Sequence, residues 1–412
     1  MLKLRTLVLS LTISAAAIGA AAADVIIDWN EKAVANVLAR NMGPPTAERV
    51  IAMVHLAMFD SINSIERRYQ PYAVQLPAAG GTSREAAAAS AAGTVLAALD
   101  PPKQAEIKAM LGASLAAIPE GDGKAKGIAL GEAVAAKILE ARANDGSGAP
   151  DDYRYSTKPG AYVPTPAMFV PMWPGVKPFA MTSGSQFRPA PPIALTSAEW
   201  TADYNEIKSL GRIDSTTRTA KQTEDARFWL ATGGNVYYPV TRSLAKAKNL
   251  SLIESARLFA LVAVARLDAT IAVFDAKYQF GFWRPITAIR NGDTDDNPAT
   301  ERDATWRPIA DTPMHPEYPC AHCILAASMA GALETVFGSA DVPEFSTTSP
   351  TLPGITHRWS NLRDFVKEVS EARIFAGFHY RFSSRVGADM GHRIGAYVAK
   401  TVMQPATLAD GR

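Results

Sequence analysis

The chain has 412 residues, of which 48% are hydrophobic and 20% are charged, and this balance excludes extended disorder. The formal net charge is +2, which gives no general attraction for nucleic acid or for an anionic membrane surface. We therefore expect small-molecule substrates and no nucleic-acid partner, and any affinity for anions must be local. Composition leaves open whether identical chains associate into a homo-oligomer.

Residues 1–23 have the layout of a secretory signal peptide. Lys3 and Arg5 precede an apolar stretch that begins at Leu7 and runs to about Ala20, and small residues follow up to Ala23. A membrane anchor is disfavoured because the apolar stretch is short and has no basic stop-transfer flank. No later stretch is long and apolar enough to span a bilayer. We expect cleavage near Ala23 and a periplasmic or secreted protein.

An N-terminal helical region is predicted at 24–158, with helices at 46–65, 83–99, 101–117 and 123–143. The amino-acid composition changes after this region. Nine prolines fall between Pro159 and Pro192, together with bulky aromatic residues. We expect 159–196 to be an extended segment that wraps over the helices rather than a free linker.

The remaining part, 197–412, is predicted to be a C-terminal helical bundle that carries the functional site. Its most apolar helix is expected at the centre of the bundle. Glycines recur at every fourth residue in the last helix, at 387, 391 and 395, and would let it approach a neighbour closely. No stretch alternates convincingly as a strand, so the predicted fold class is all-α. The expected helices are 197–210, 218–231, 251–277, 321–337, 361–378 and 385–403.

Three stretches of this bundle place cationic and titratable side chains in otherwise apolar sequence. They are KYQFGFWRP at 277–285, PCAH at 319–322 and RIFAGFH at 373–379. Burying this much positive charge is costly unless an anion neutralises it. The alternative is internal pairing with carboxylates. We favour an oxyanion site, because two histidines and three cations exceed what internal pairing needs. The carboxylates considered for such pairing are Asp268, Asp275 and Glu371.

The first and third stretches supply charged side chains that suit oxygen ligands. Lys277 and Arg284 are seven residues apart and offer a point charge and a planar fork of donors. Arg373 and His379 lie six residues apart among apolar residues. Apolar packing there would keep water away and hold the charges in place.

The middle stretch begins a helix, and its first backbone N–H groups would form an anion seat without any side chain. Cys320 and Cys323 are the two cysteines of the chain. Their spacing admits a thioredoxin-type redox pair, but the surrounding strand–helix pattern is missing. Two cysteines and one histidine are too few for a tetrahedral zinc site. A structural disulfide and a reduced pair both remain open.

In order and spacing, the three stretches resemble the signature of the vanadium-dependent haloperoxidases and the related phosphatidic-acid-phosphatase-type acid phosphatases, an all-helical superfamily. The family pattern is Lys-x6-Arg-Pro, Pro-Ser-Gly-His and Ser-Arg-x5-His, and the resemblance covers roughly 250–400. The first motif is complete, whereas Cys320, Ala321 and Ala372 replace Ser, Gly and Ser in the others. The aromatic neighbours at 282–283 and 380–382 are more similar to the haloperoxidase branch.

The resemblance implies a role for each matched residue. His379 would be the sole protein ligand of vanadium, or the nucleophile of a phosphatase, and His322 would be the general acid/base. His315 would either lie at the pocket rim and tune that acid or belong to a surface loop. The equatorial oxygens would be bound by Lys277, Arg284, Cys320, Ala321 and Arg373.

The implied activity is that of a haloperoxidase, with vanadate as cofactor and peroxide as co-substrate, in which vanadate-bound peroxide oxidises halide. Two departures keep other functions open. A thiolate at Cys320 would be oxidised by peroxide unless a disulfide to Cys323 protects it. Ser383 stands where phosphatases carry an Asp that orients the nucleophilic His, and this departure weakens the phosphatase interpretation as well. The alternatives are a phosphatase acting through phosphohistidine and a non-catalytic oxyanion-binding protein. The sequence does not indicate the halide, the organic substrate or the carboxylate partner of Arg373.

Other titratable residues are interpreted as structural. His55 lies in an apolar run and is expected in the core, and His357 is expected in a loop without a function. The acidic run at 293–297 begins like a calcium loop. Pro298 and Ala304 occupy the positions that need Gly and Glu, so an EF-hand is rejected.

Overall fold

The computed structural model of the chain describes residues 24–154, 156–164 and 168–406. The predicted signal peptide, 1–23, lies outside this range. The described residues form thirteen α-helices and one two-stranded antiparallel sheet. The all-α fold class is therefore confirmed. Within the described residues, we find no helix with the length and apolar character that crossing a bilayer requires.

The chain order alternates long helices with irregular connections. The first five helices are α1 (Val25–Ala39), α2 (Pro44–Glu66), α3 (Arg84–Leu99), α4 (Gln104–Ala116) and α5 (Asp122–Ala141). The middle of the chain forms α6 (Ala198–Leu210), α7 (Ala220–Phe228), α8 (Gly234–Ala247), α9 (Leu252–Phe280) and α10 (Pro285–Arg290). The last elements are α11 (Ala321–Phe337), β1 (Asp341–Thr348), β2 (Thr356–Asn361), α12 (Leu362–Phe375) and α13 (Arg381–Thr401).

Three helices, α1, α8 and the short α10, and the two-stranded sheet were not predicted from the sequence. α1 directly follows the predicted signal peptide. α8 contains Pro239, and a proline within a helix-like pattern predicts the end of the helix. The expectation that no strand forms was wrong: β1 and β2 pair as a hairpin. Their alternation is short and interrupted by Pro343 and charged residues. His357 was also misplaced, because it lies in β2 with a buried side chain rather than in a loop.

α9 occupies the centre of the bundle. Every residue from Leu258 to Lys277 is buried, as expected for a helix surrounded by other elements. A reciprocal capping box of Ser251 and Glu254 fixes its start. Gly281 ends it in the left-handed conformation, with φ at 57°. This turn redirects the chain immediately after the last helical turn, in which Lys277 lies.

α13 packs directly against α11 through its glycines. A Cβ atom added at Gly387 would lie 2.6 Å from the carbonyl oxygen of Cys320. Cβ atoms at Gly391 and Gly395 would collide with backbone carbonyls of α11 in the same way. The glycine spacing noted in the sequence therefore has a partner: it lets α13 support the N-terminal end of α11 at van der Waals distance.

The segment at 159–196 has one short 3₁₀ turn, Trp173–Gly175, in its described part. It is fastened to the loops beside α9 by backbone hydrogen bonds. Tyr162 N–H donates to the Gly281 carbonyl at 2.6 Å, and Phe169 N–H donates to the Met314 carbonyl at 2.9 Å. Further along, the carboxylate of Asp268 accepts the backbone N–H groups of three consecutive residues, 179–181. The segment thus lies along the face of the bundle that holds the charged stretches.

His55 is fully buried on α2. The side-chain amide of Asn30 donates to its Nε2 at 2.8 Å, so the ring proton is on Nδ1. Its ring stacks on Phe259 with centroids 5.2 Å apart. Burial, reinforced by the positive charge of Arg242, lowers the pKa of His55 to about 3. The folded chain therefore keeps this imidazole neutral at pH values where the unfolded chain protonates it.

We expect His55→Gln to flatten the acidic side of the stability profile. Below pH 6.5, the ordinary His pKa, the unfolded wild-type chain binds a proton at His55 that the folded chain does not. The free energy of unfolding therefore falls with falling pH, by about 1.4 kcal/mol per pH unit from this group. Gln cannot bind that proton, although it still offers Asn30 an acceptor. Urea unfolding at pH 5 and at pH 7 gives the free energy of unfolding of both proteins. An equal change in that free energy between the two pH values for wild type and variant would contradict this assignment.

Candidate functional site

The three charged stretches converge at one end of α9. The first leaves the last turn of α9 and reaches Arg284, the N-cap of α10. The second begins just before Cys320, the N-cap of α11, and continues into the first turn of that helix. The third begins in the last turn of α12 and continues through the connection to α13. Three helix ends and two short connections therefore place the side chains around one point.

Lys277 lies in the last turn of α9 and is fully buried. Its ammonium donates to the backbone carbonyls of Pro316 and Glu317, at 2.8 and 2.7 Å. An ammonium has three donors, so one N–H is left for a further acceptor. Burial, together with the nearby charge of Arg284, holds the pKa of Lys277 well below its usual range. An anion beside it would reverse that shift.

Arg284 is 1% exposed and connects the loop before α11 with the connection between α12 and α13. Its Nε donates to the His315 carbonyl at 2.9 Å and its Nη1 donates to the Phe378 carbonyl at 3.0 Å. Nη1 also lies 3.2 Å from Nε2 of His379, and Nη2 lies 3.0 Å from Nδ1 of His315. Since a guanidinium only donates, Nε2 of His379 is an acceptor. Nδ1 of His315 also lies 3.1 Å from the Pro316 carbonyl, so it either accepts from Arg284 or donates to Pro316, according to the tautomer. Burial lowers the pKa of Arg284 to about 10.

His379 is held by a carboxylate that sequence reasoning missed. Its Nδ1 donates to Oε1 of Glu317 at 2.8 Å, and the backbone N–H of Tyr380 donates to the same oxygen at 3.0 Å. The proton is therefore on Nδ1, and the Nε2 lone pair points towards Arg284. Burial, with the positive charge of Arg284 and Lys277, holds the pKa of His379 well below its usual range. Burial raises the pKa of Glu317 to about 7, although the same two cations oppose this shift.

Arg373 completes the set of cations and has no carboxylate partner among the described residues. Its Nη1 donates to the Trp229 carbonyl at 2.6 Å, and its guanidinium lies 4.8 Å from the centre of the Phe378 ring. Its Nε is buried without a hydrogen-bond partner. Burial lowers the pKa of Arg373 to about 9. The neighbouring Glu371 pairs instead with Arg381.

His322 lies in the first turn of α11 and faces the same point. Its Nε2 is buried and has no hydrogen-bond partner among the described residues, while the ring is hydrogen-bonded to the backbone of Ala231. Burial and the charge of Arg373 hold the pKa of His322 well below its usual range. The structure thus presents a neutral imidazole whose Nε2 is free to exchange a proton.

Cys320 and Cys323 are joined by a disulfide, with their Cα atoms 5.4 Å apart. The Cys323 N–H donates to Sγ of Cys320, which therefore acts as the N-cap of α11. The described chain holds no free thiol. A disulfide sulfur has no proton to donate, so the contribution of Cys320 to an anion seat is limited to its backbone. The adjacent Ala321 faces the cavity described next.

A small cavity opens above these groups; we call it the inner pocket. Its volume is about 80 Å³, and His315, His322 and His379 line it together with mainly apolar residues. His315 is 9% exposed and contacts the edge of Phe274, so it lies at the pocket and not in a surface loop. The remaining lining residues are Pro44, Pro45, Phe169, Thr232, Thr270, Val273, Phe274, Pro313, Ala321 and Leu325.

The donor set fits a tetrahedral oxyanion such as vanadate or phosphate. Arg373 and His322 have buried nitrogen atoms without partners, which is costly unless a ligand satisfies them. The carboxylates considered for internal pairing are used elsewhere: Asp268 by backbone N–H groups and Asp275 by Arg188. Apart from Glu317, then, the site concentrates positive charge without compensation. The buried cations and the α11 N-terminus would bind the oxygens, and Nε2 of His379 would bind the central atom in place of its hydrogen bond from Arg284.

A second polar cluster lies outside the site. The carboxylates of Glu224 and Asp225 and the ring of His357 have ligand atoms within 4.8 Å of one another. Lys221 pairs with both carboxylates, and Nδ1 of His357 lies 2.5 Å from Glu368, so the cluster is internally paired. Hydrogen bonds through Trp229 connect this cluster to the site. Glu368 accepts the indole N–H of Trp229 at 3.0 Å, and the Trp229 carbonyl is the group that holds Arg373.

The chain is similar to several known proteins. Residues 257–407 match a family model described as the VCPO second helical-bundle domain. Vanadium chloroperoxidase from Curvularia inaequalis is 24% identical to this chain over 469 residues, which cover 84% of this chain and 76% of that protein.

Solved structures give a similar result. The structure of the first bacterial vanadium-dependent iodoperoxidase has 22% sequence identity and a TM-score of 0.78, and the match covers 93% of this chain and 97% of that one. The apo-type bacterial vanadium-dependent chloroperoxidase has 16% identity and a TM-score of 0.72, covering 87% and 94%. The resemblance drawn from three short motifs is thus confirmed: the chain has the fold of the vanadium haloperoxidases, and its residues 257–407 match the model of a second helical-bundle domain.

Proposed function

We propose that this chain is an enzyme of the vanadium haloperoxidase type, which binds vanadate and uses peroxide to oxidise halide. The observation that carries the proposal is the convergence of Lys277, Arg284 and Arg373, all buried and without paired carboxylates, around His379 and His322. Burying three such groups without paired carboxylates is costly, and a bound oxyanion would offset that cost. The similarity to named vanadium peroxidases favours vanadate over other oxyanions.

Each side chain contributes a definite action. The three cations bind and orient oxygen atoms, and the apolar lining of the inner pocket excludes water, which strengthens their charges. Glu317 keeps the proton of His379 on Nδ1, so that Nε2 offers its lone pair. Neutral His322 accepts or returns a proton at Nε2. When bound, vanadate supplies Lewis acidity that activates peroxide towards a halide.

The disulfide removes one objection to peroxide chemistry. A free thiol at Cys320 would lie beside the oxidant and be consumed by it. Within the disulfide, neither cysteine is available for that reaction. The same bond supports our proposal that the chain is exported, because disulfides persist in oxidising compartments such as the periplasm.

One observation favours a second candidate, a phosphatase that uses His379 as nucleophile. Such an enzyme needs a carboxylate on Nδ1 of that histidine, and Ser383 cannot supply it. Glu317 does, at 2.8 Å. A phosphate monoester would then be attacked by Nε2 while the cations bind its oxygens.

A pair of assays separates these candidates. The purified protein is incubated with vanadate, peroxide and bromide, and separately with an aryl phosphate in the absence of vanadate. Halogenation that requires added vanadate supports the haloperoxidase, and phosphate release without vanadate supports the phosphatase. Tight vanadate binding with neither activity would contradict both and leave a non-catalytic oxyanion-binding protein.

A further inference from the structure

We propose that Glu368 is a positioning residue for the oxyanion site, because it fixes the turn at 229–231, whose backbone holds Arg373 and His322. Glu368 does not line the inner pocket, so it would act through the indole of Trp229. The inference rests on the proposed function and names a residue that supports the oxyanion site from outside it.

The turn at 229–231 is shared by two residues of the site. The Trp229 carbonyl accepts from Nη1 of Arg373 at 2.6 Å, and the backbone of Ala231 is hydrogen-bonded to the ring of His322. Since Nε2 of His322 has no partner among the described residues, the ring nitrogen held by Ala231 is Nδ1. A displacement of this turn would therefore move an oxyanion donor and the proton-exchanging imidazole together.

Glu368 is the acceptor for the indole of that turn. Its Oε1 accepts the indole N–H of Trp229 at 3.0 Å. Trp229 is fully buried, and its ring packs against the rings of Tyr237 and Phe365, with centroids 5.9 and 5.6 Å apart. A buried indole N–H without an acceptor is costly. The hydrogen bond therefore selects one orientation of the ring, and with it the position of the Trp229 backbone.

The carboxylate of Glu368 is itself held in place by further donors from β2. The indole N–H of Trp359 donates to Oε2 at 3.1 Å, and Nδ1 of His357 donates to Oε1 at 2.5 Å. Burial alone would raise the pKa of Glu368, but hydrogen bonds from His357 and Trp229 outweigh it and hold the pKa below its usual range. An ionised carboxylate only accepts, so it satisfies all three donors at once.

The hydrogen bonds through Trp229 join two residues of the same helix. Glu368 and Arg373 both lie on α12, so the backbone of Arg373 and the group that holds the end of its side chain are fixed to one element. Arg373 has no carboxylate partner among the described residues, and its Nε is unpaired. A carbonyl orients a guanidinium without neutralising it. This support therefore leaves the charge of Arg373 available for an oxyanion.

The test compares two indole hydrogen bonds to the same carboxylate. Trp229→Phe removes the one that leads to the site, and Trp359→Phe removes the one that does not. Both substitutions leave an aromatic ring in place. Equilibrium dialysis measures vanadate affinity, and steady-state kinetics measure halide oxidation. ¹⁵N NMR of labelled histidine, recorded without vanadate, reports on His322, whose signal is assigned by its loss in His322→Ala.

We expect Trp229→Phe to weaken vanadate binding by about tenfold and to lower halide oxidation by about 10- to 100-fold. The signal of His322 should shift, because the turn that holds its ring is no longer fixed. Trp359→Phe should leave all three readouts within about twofold of wild type. Each variant loses one indole hydrogen bond, so urea unfolding should show a similar loss of stability for both. Equal effects of the two variants on the site would overturn the inference.

A double-mutant cycle tests Glu368 itself. Glu368→Ala should reproduce the effects of Trp229→Phe, and the double variant should be no worse than either single one, because both changes remove the same contact. Additive losses would overturn the inference. If Glu368→Ala does not fold, the comparison of the two Trp variants decides alone. A wild-type protein that neither binds vanadate nor oxidises halide would overturn the proposed function, while the signal of His322 would still test the role of Glu368.

Discussion

Replacing His379 with Ala should lower vanadate-dependent halide oxidation by about a thousandfold or more. The substitution removes the uncharged nitrogen that would coordinate the central atom of the oxyanion. The substitution leaves Lys277, Arg284 and Arg373 in place, so anion binding should weaken without disappearing. Steady-state kinetics and equilibrium dialysis with vanadate measure the two effects separately. Glu317 would then be a buried carboxylate without its histidine, and circular dichroism checks that the variant is folded.

His392→Ala is the matched control for this experiment. His392 is 43% exposed and pairs with Glu334, away from the inner pocket. Its removal should leave turnover unchanged. If turnover by His379→Ala equals that of wild type, the site assignment is wrong whatever activity the protein proves to have.

Glu317→Gln should weaken vanadate affinity by about 10- to 100-fold, the usual cost of losing a group that orients a ligand. The amide is nearly isosteric, but it can present either its oxygen or its NH₂ group to Nδ1 of His379. The proton of His379 is then no longer fixed on Nδ1. Equilibrium dialysis measures the affinity, and ¹⁵N NMR of labelled histidine reports the tautomer independently of activity. A merely structural role would leave the tautomer unchanged.

The chain offers a matched carboxylate–histidine pair for comparison. Oε2 of Glu334 lies 3.1 Å from Nε2 of His392 on the protein surface. Glu334→Gln should alter neither vanadate affinity nor the signal of His379. Wild-type affinity in the Glu317→Gln variant would remove Glu317 from the site and would withdraw the support that it gives to the phosphatase alternative.

Much of the fold followed from periodicity, and the exceptions have physical reasons. The bounds of α11 coincide with the predicted 321–337, because a cap, an apolar face and a terminal glycine agree. α8 was missed because Pro239 lies inside it. The surrounding core holds that helix together where local propensity would break it. Short strands such as β2 give too few residues for alternation to be recognised.

Some residues of the candidate site could be predicted from the sequence and others could not. Side chains with fixed spacing, such as Lys277 and Arg284, could be recognised from sequence. Glu317 could not, because it stands alone in an irregular loop, and only the fold brings it to His379. The backbone groups that hold Arg373 and His322 carry no sequence signal at all, since every residue has a carbonyl. The Cys320–Cys323 pairing stayed open for a related reason: spacing alone allowed both redox states.

The measurement that tests the central claim most directly is a crystal structure of the protein with vanadate, with vanadium located by its anomalous scattering. We predict a single strong peak at bonding distance from Nε2 of His379, with its oxygens within hydrogen-bond distance of Lys277, Arg284 and Arg373. A peak at any other position, or no peak at saturating vanadate, would contradict the claim that these buried cations form an oxyanion site.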